Sequence, residues 1–496
     1  MMRKLIIMMV LGGLSAAGWA QKDVSAIKFA QTITQEDLSR HLHIVAADSM
    51  EGRRTGTRGQ KKAAKYIASH FKKLGLQAPV KTSAGMSYFQ KFAMKSTKWK
   101  DVSVEANGKK YQFLRDVFAI GTSTQKKPLT CQAVYAGEGT AQEMKQANVP
   151  GKGVVFFAKN HAEAMKKGEV ALKLGAKALF VLRANTQVGF KELVNFNAYY
   201  IKRWVGPHLS KPNETGKMVF YVSPALATAL LNTDKATLIG KKLPIGTSGK
   251  TITAKATQQQ KITLKSENVL GLLEGTDKKD EILVISAHYD HIGMGSNGKV
   301  NNGADDDGSG TVAVMELAEA FTKAKQAGKG PRRSILFITV AGEEIGLYGS
   351  QFYTDVDPVF PLKNTVANLN IDMIGRIDTR YRTDPDYIYL IGADKLSTEL
   401  HQLSEAANKT YTRLKLDYTY NDKNDPNRFY YRSDHYNFAK NRIPVIFYFN
   451  GTHADYHRPT DTVDKIHFPK MEKITRLVFH TAWKVANRDK RLVVDK

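Results

Sequence analysis

Four short runs constrain this chain most: Glu281–Ser286 (EILVIS), Ser334–Val340 (SILFITV), Thr365–Ile371 (TVANLNI) and Ile443–Phe449 (IPVIFYF). They are the mainly apolar, β-branched and aromatic runs of strands buried on both faces of a sheet. Between the first two, Val314, Leu317, Ala318 and Phe321 recur at helical spacing along one face. Strands that alternate with helices in this way predict an α/β fold, with a mixed, mostly parallel central sheet covered by helices. At 496 residues the chain exceeds the ~250–300 at which a single core stops growing, so at least two folding units are expected.

Upstream of these strands the texture changes twice. Residues 31–80 read as helical, and Ala64, Ile67, Ala68 and Phe71 form one apolar face that ends before Gly75, where a helix-terminating glycine belongs. Between 115 and 255 a strand (Val154–Ala158), a helix (His161–Leu174) and a second strand (Ala178–Leu182) follow one another. Met218–Ser223 and a helix after Pro224 extend that unit. No constellation of reactive residues occurs there, so it reads as an accessory domain. The expected division is a leader at 1–20, an N-terminal part of the main domain at 21–114, an insert at 115–255 and a chemical domain at 256–496.

The first twenty residues place Arg3 and Lys4 before an apolar run, Leu5–Leu14, and close on Gly18, Trp19 and Ala20. That is the build of a secretory signal peptide cut after Ala20, and the run is shorter than the ~20 residues of a membrane span. The sequence therefore predicts a mature protein that is periplasmic or secreted, with no stable membrane anchor. Cys131 is the single cysteine, which excludes an intrachain disulfide and reads as a buried structural thiol. The net charge of +27 loses two with Arg3 and Lys4, and its lysines are scattered through amphipathic segments. Such a distribution makes a solvated surface and does not predict nucleic-acid binding.

The chemistry-bearing residues lie just beyond the strands. The first strand runs into SAHYDH (Ser286–His291), and GADDDGSG (Gly303–Gly310) precedes the next helix. The second runs into AGEEIGLYGS, the third into NIDMIGR, and HADYHRPTDTVDKI follows the fourth. In open α/β sheets ligands collect at the carboxyl ends of strands. Imidazole and carboxylate groups are catalytic zinc ligands, and two adjacent metals need a carboxylate between them. Alone, each motif is weak: an Asp run before Gly is commonly a turn or helix cap. Together they supply one bridging carboxylate, one His and one carboxylate for each of two metals, and a Glu left over as general base.

In order and spacing, GRRTGTRG (Gly52–Gly59), AHYDH, NNGADDDGSG, GEEIGLYGS, NIDMIG, SDHYNFAKNRIP and YHRPTDTVDKI resemble the co-catalytic zinc aminopeptidases of peptidase clan MH. The segment 115–255 resembles, more loosely, the protease-associated domain often inserted in that family. The resemblance implies a zinc-peptidase fold with an inserted, smaller α/β domain. It implies His288, Asp306, Glu344, Asp372 and His457 as ligands of two zinc ions, with Asp306 bridging. It further implies Glu343 as general base, Asp290 as the carboxylate that orients His288, and Tyr456 as a hydrogen-bond donor to the tetrahedral intermediate. His291, His435 and His453 are read as structural histidines, and Arg376 as either a substrate contact or the partner of a local carboxylate. The implied activity is removal of N-terminal residues from peptides that carry a free N-terminus. Same-fold alternatives are a carboxypeptidase, a glutaminyl cyclase, or a non-catalytic binding protein. Export makes the first prediction: the mature protein should begin at Gln21 by mass spectrometry, and an intact Met1 on recovered protein would contradict it.

Overall fold

The computed structural model describes residues 22–120, 127–203, 205–209 and 219–496, so the predicted leader lies outside the described residues. The chain divides into two compact units, Met1–Phe92 with Ser266–Lys496, and Ala93–Lys265.

The first unit is built on seven strands: β1 (Ser248–Leu273, of which Val269–Leu273 pair here), β2 (Lys278–His288), β3 (Arg333–Val340), β4 (Thr365–Ile371), β5 (Tyr387–Ile391), β6 (Lys415–Asp417) and β7 (Val445–Phe449). Their spatial order is β6-β5-β7-β4-β2-β3-β1. The central strands β7, β4, β2 and β3 are parallel, with β1 antiparallel at one side and β5 antiparallel to β7 at the other. This is the mixed, mostly parallel α/β sheet expected from the sequence. All eight residues of β3 and all seven of β4 are buried, as strands covered on both faces require. β5 and β6 are additions that the four runs did not announce.

The helices of this unit include α1 (Val24–Ala30), α2 (Gln35–Val45), α3 (Arg58–Lys73), α4 (Gly310–Gln326), α5 (Thr398–Ala407) and α6 (Phe468–Asn487). α3 buries Ala64, Ile67, Ala68 and Phe71, and Gly75 comes after it with φ +77°, a conformation open to glycine without steric cost. α4 buries the predicted stripe Val314, Leu317, Ala318 and Phe321 and most of its other faces too. Phe321 meets Phe479 and Trp483 of α6 at ring-centroid distances of 4.5 and 6.0 Å.

The second unit has its own core, centred on Phe118, Phe156, Phe180 and Phe220. Its strands Gly153–Phe157, Ala178–Leu182 and Val219–Val222 are parallel neighbours, with Leu129–Tyr135 beside the first and Val117–Ile120 antiparallel to the last. Helices His161–Lys173 and Pro224–Leu231 fall where the sequence put them. Cys131 is buried in this unit, and burial pushes its thiol up to about 11, which leaves it an unreactive packing group.

One buried charge gives the fold a pH dependence. Lys470, in the first turn of α6, is 1% exposed and has no hydrogen-bond partner for Nζ, which sits over the Tyr387 ring. Burial pulls its pKa down from 10.5 to about 7, against the opposing pull of Asp305 and Asp378. With a depressed folded pKa, the unfolded chain holds more protons between those values, so stability falls as pH drops through that window. Lys470→Met should therefore gain stability over wild type as pH falls from 10 to 8, by on the order of 2 kcal/mol across the window. Urea unfolding at both pH values measures it, and a pH-independent difference would contradict it.

Candidate metal centre

Each motif is set by a strand that stops and a loop that turns sharply. His288 is the last residue of β2, 1% exposed, and its Nδ1 lies 3.0 Å from the Asp290 carbonyl oxygen and 3.8 Å from Asp290 Oδ1. The Asp290 carboxylate is itself held by Thr55 Oγ1, which donates at 2.5 Å, and by the Glu343 amide at 3.3 Å. A histidine fixed at one ring nitrogen has its other nitrogen aimed. His288 Nε2 faces Asp306 Oδ1 at 3.3 Å, Asp372 Oδ1 at 3.6 Å and Glu343 Oε2 at 4.0 Å.

The three consecutive aspartates divide the work. Asp307 accepts from the amides of Gly310 (2.9 Å), Met373 (3.1 Å) and His288 (3.2 Å), so it holds the first amide of α4 and ties two strand ends together. Asp305 accepts from the Gly375 amide at 2.6 Å and from Asn450 Nδ2 at 3.2 Å, with His453 Nε2 at 3.2 Å. Only Asp306 turns both oxygens to imidazoles: Oδ1 to His288, and Oδ2 to His457 at 3.0 Å. The backbone is held in this course by Asp461, whose carboxylate accepts from the amides of Asp305 and Asp306.

The two glutamates after β3 point apart, as neighbours in a loop do. Glu343 faces His288, whereas Glu344 meets His457 Nε2 at 3.1 Å and His291 Nδ1 at 2.7 Å. Asp372, after β4, receives a hydrogen bond of 2.6 Å from Ser433 Oγ. Tyr456 stacks on the His457 ring at 3.9 Å. A cavity opens over this cluster, lined by Asp306, Glu343 and Asp372 together with Phe429, Phe447, Phe449 and Arg432.

The charge balance of the cluster suits a cation. Burial pulls the His288 imidazolium down, yet Asp372, Glu343 and Asp306 outweigh it and raise His288 well above its ordinary pKa. His457 rises to about 10 in the same way, through Asp306 and Glu344. The carboxylates thus recruit protons onto imidazoles. His288 Nε2, Asp306 Oδ2 and Glu344 Oε1 are enclosed without any hydrogen-bond partner. Ligand atoms of His288, Asp307 and Asp372 lie within 4.8 Å of one another, as do those of His291, Asp306 and Glu344. The residues present therefore fit a metal.

These features agree with what the chain is similar to. Residues 268–482 match the model of peptidase family M28. Over this segment the chain is similar to the M28 peptidases. The chain is 24% identical to aminopeptidase YwaD of Bacillus subtilis over 511 aligned residues, covering 99% of this chain and 96% of that protein. A probable leucine aminopeptidase of Arthroderma otae is 32% identical over 233 residues, 45% of this chain and 58% of that protein. Among solved structures, the zinc aminopeptidase BSAP of Bacillus subtilis aligns over 93% of this chain and 98% of its own, at 20% identity and a TM-score of 0.49.

Several residues around the centre lie outside the ligand set that the sequence resemblance implied. His291, read as structural, is fully buried and lies 2.7 Å from Glu344. His435 is a core residue stacked on Phe447 at 4.8 Å, and Arg376 pairs with Asp455 at 2.7 Å. Ser433, Asn370, Ser286 and Asn368 form a buried polar ladder ending on Asp372. The asparagines inside an otherwise apolar β4 were its visible trace.

Arg53 is the other omission. It is fully buried and donates to four carbonyl oxygens: Tyr289 (2.8 Å), Val45 (2.8 Å), Asn302 (2.6 Å) and Gly303 (2.8 Å). It thereby ties the end of α2 and the loop after β2 to Asn302 and Gly303, the residues that lead into the Asp306 turn. Removing it leaves those carbonyls unsatisfied, at roughly 1–3 kcal/mol for a buried group. Arg53→Met should lower unfolding free energy by at least ~3 kcal/mol, measured by urea titration, and Arg53→Lys should recover only part of it because ammonium cannot span four acceptors.

Proposed function

We propose that the protein is an exported aminopeptidase that uses two zinc ions and Glu343 as general base. The observation that carries this reading is Asp306, whose two carboxylate oxygens face His288 and His457 at 3.3 and 3.0 Å. One oxygen toward each histidine is what a bridging ligand needs. His288 and Asp372 would hold one ion, and Glu344 and His457 the other, with Asp306 between them; the His291 imidazole buttresses Glu344. When bound, the pair supplies Lewis-acid polarisation of the scissile carbonyl and a water of lowered pKa.

The side chains do the rest. Burial and the neighbouring Asp372, Asp434 and Glu344 raise the Glu343 carboxyl well above its ordinary range, opposed by His288. A carboxylate of raised basicity is suited to accept a proton from the attacking water and return it to the departing amine. Burial, Asp306 and Glu344 also raise the Tyr456 phenol, so it stays protonated and donates a hydrogen bond to the developing oxyanion. The cavity carboxylates Asp306, Glu343 and Asp372 attract a free α-ammonium group, which supports aminopeptidase action, while Arg432 in the same lining is the one cation there that a carboxypeptidase could use for a substrate carboxylate. Phe429, Phe447 and Phe449 suit an apolar first side chain. The leader-like start of the chain and relatives with aminopeptidase names are consistent with this reading.

Aminoacyl-anilides should be cleaved and N-acylated controls left intact. Chelation should abolish turnover, and zinc should restore it. Glu343→Gln should lower kcat ~10²–10⁴-fold while metal content stays at the wild-type level. Glu344→Gln should lose metal together with activity. Metal loss in Glu343→Gln with both ions kept in Glu344→Gln would exchange the two roles, and full activity of Glu343→Gln would refute the mechanism.

A further inference from the structure

A second set of ligand-type side chains gathers on three helices, outside the strand-end cluster. His41 comes from α2, His70 from α3, and Glu316 and Glu319 stand nearly one turn apart on α4. One ligand atom each from His41, His70 and Glu319 lies within 4.8 Å of the others. The two imidazoles meet edge to face, with centroids 4.7 Å apart.

The orientation of His41 is fixed. Its Nδ1 lies 2.6 Å from the Tyr66 hydroxyl, which leaves Nε2 directed at Glu316 Oε1, 3.4 Å away. His41 is 2% exposed and Glu316 1%. His41 Nε2 and both carboxylate oxygens of Glu316 are fully enclosed and make no hydrogen bond. A buried carboxylate without a donor is costly, and a helical protein retains one where something else satisfies it. The nearby cations do not serve Glu316: Arg40 pairs with Asp37, and the partly exposed Lys323 pairs with Glu319 Oε1 at 2.8 Å, a contact that a bound ion would have to displace or share. His70 and Glu319 are only partly buried, which gives an ion a route in.

We propose that His41, His70 and Glu319, with Glu316 as the adjoining carboxylate, bind a divalent cation of the zinc class and clamp α2, α3 and α4 together. Two imidazoles with carboxylates are a donor set zinc accepts, whereas calcium and magnesium take mainly oxygen. Drawn from three helices, the set makes the ion a cross-link, so bound metal stabilises the folded chain by mass action. The competing account is a proton shared between Glu316 and His41 with no metal.

Wild type, His70→Gln and Glu319→Gln would be dialysed against excess zinc, then against zinc-free buffer, and their metal measured by mass spectrometry. Each variant should hold one zinc fewer per chain than wild type, retain wild-type turnover on an aminoacyl-anilide, and show a smaller zinc-dependent rise in Tm. The difference of one ion is independent of how many ions the strand-end centre holds, so failure of either reading leaves the other standing. Glu319 is partly exposed, so Glu319→Gln serves if His70→Gln misfolds. Crystals grown with zinc should show an anomalous peak between His41 and His70. Equal zinc content in all three proteins, or no peak at that position, would overturn the site and favour the shared proton.

Discussion

Negative charge packed beyond the ends of β2, β3 and β4 is the constraint on which the rest of the catalytic unit depends. Asp290, Asp305, Asp306, Asp307 and Asp372 are all buried or nearly so, and Glu343 and Glu344 join them. Isolated carboxylates in such a place would be prohibitively costly, so each must be neutralised or hydrogen-bonded. Backbone amides serve Asp305 and Asp307, a threonine hydroxyl and an amide serve Asp290, and imidazoles serve Asp306 and Glu344. What remains unsatisfied includes His288 Nε2, Asp306 Oδ2 and Glu344 Oε1, a donor set that a cation would satisfy.

The scaffold makes that concentration possible by dividing labour between parts. Parallel strands buried on both faces end together, so residues distant in sequence arrive at one edge of the sheet. Arg53 then holds the loops around the Asp306 turn through four carbonyls, and Asp461 holds two consecutive amides of that turn. Neither residue faces the cavity. Their work is to keep the Asp306 carboxylate from relaxing towards water, which would leave the imidazoles without their shared partner.

The helical cluster obeys the same logic on a smaller scale. His41 and Glu316 are polar groups placed among packed helices, and they face each other with buried atoms that make no hydrogen bond. On α4 the apolar stripe and Glu316 occupy different faces of a helix buried nearly all round. Hydrophobic periodicity alone identifies the first and conceals the second.

The strand runs, the helix faces on α3 and α4, and the motif order were legible in the sequence because they depend on local spacing: two residues per strand repeat and three to four per helical turn. The α/β class and the strand-end position of the polar motifs came from that. β6 was not foreseen, since the three residues Lys415–Asp417 have no pattern distinct from a loop, whereas β5, Tyr387–Ile391, carries the same apolar and aromatic signal as the four runs and was not read from it. Helix and strand periodicity does not show which of three adjacent aspartates turns inward; the family resemblance implied Asp306, and the physical cause lies in the Asp461 carboxylate and the Gly375 and Gly310 amides. The sequence by itself determined the elements and the inventory of ligand-type groups; tertiary structure decided which oxygen faces which nitrogen, because burial, charge pairing and hydrogen-bond satisfaction are properties of neighbours in space.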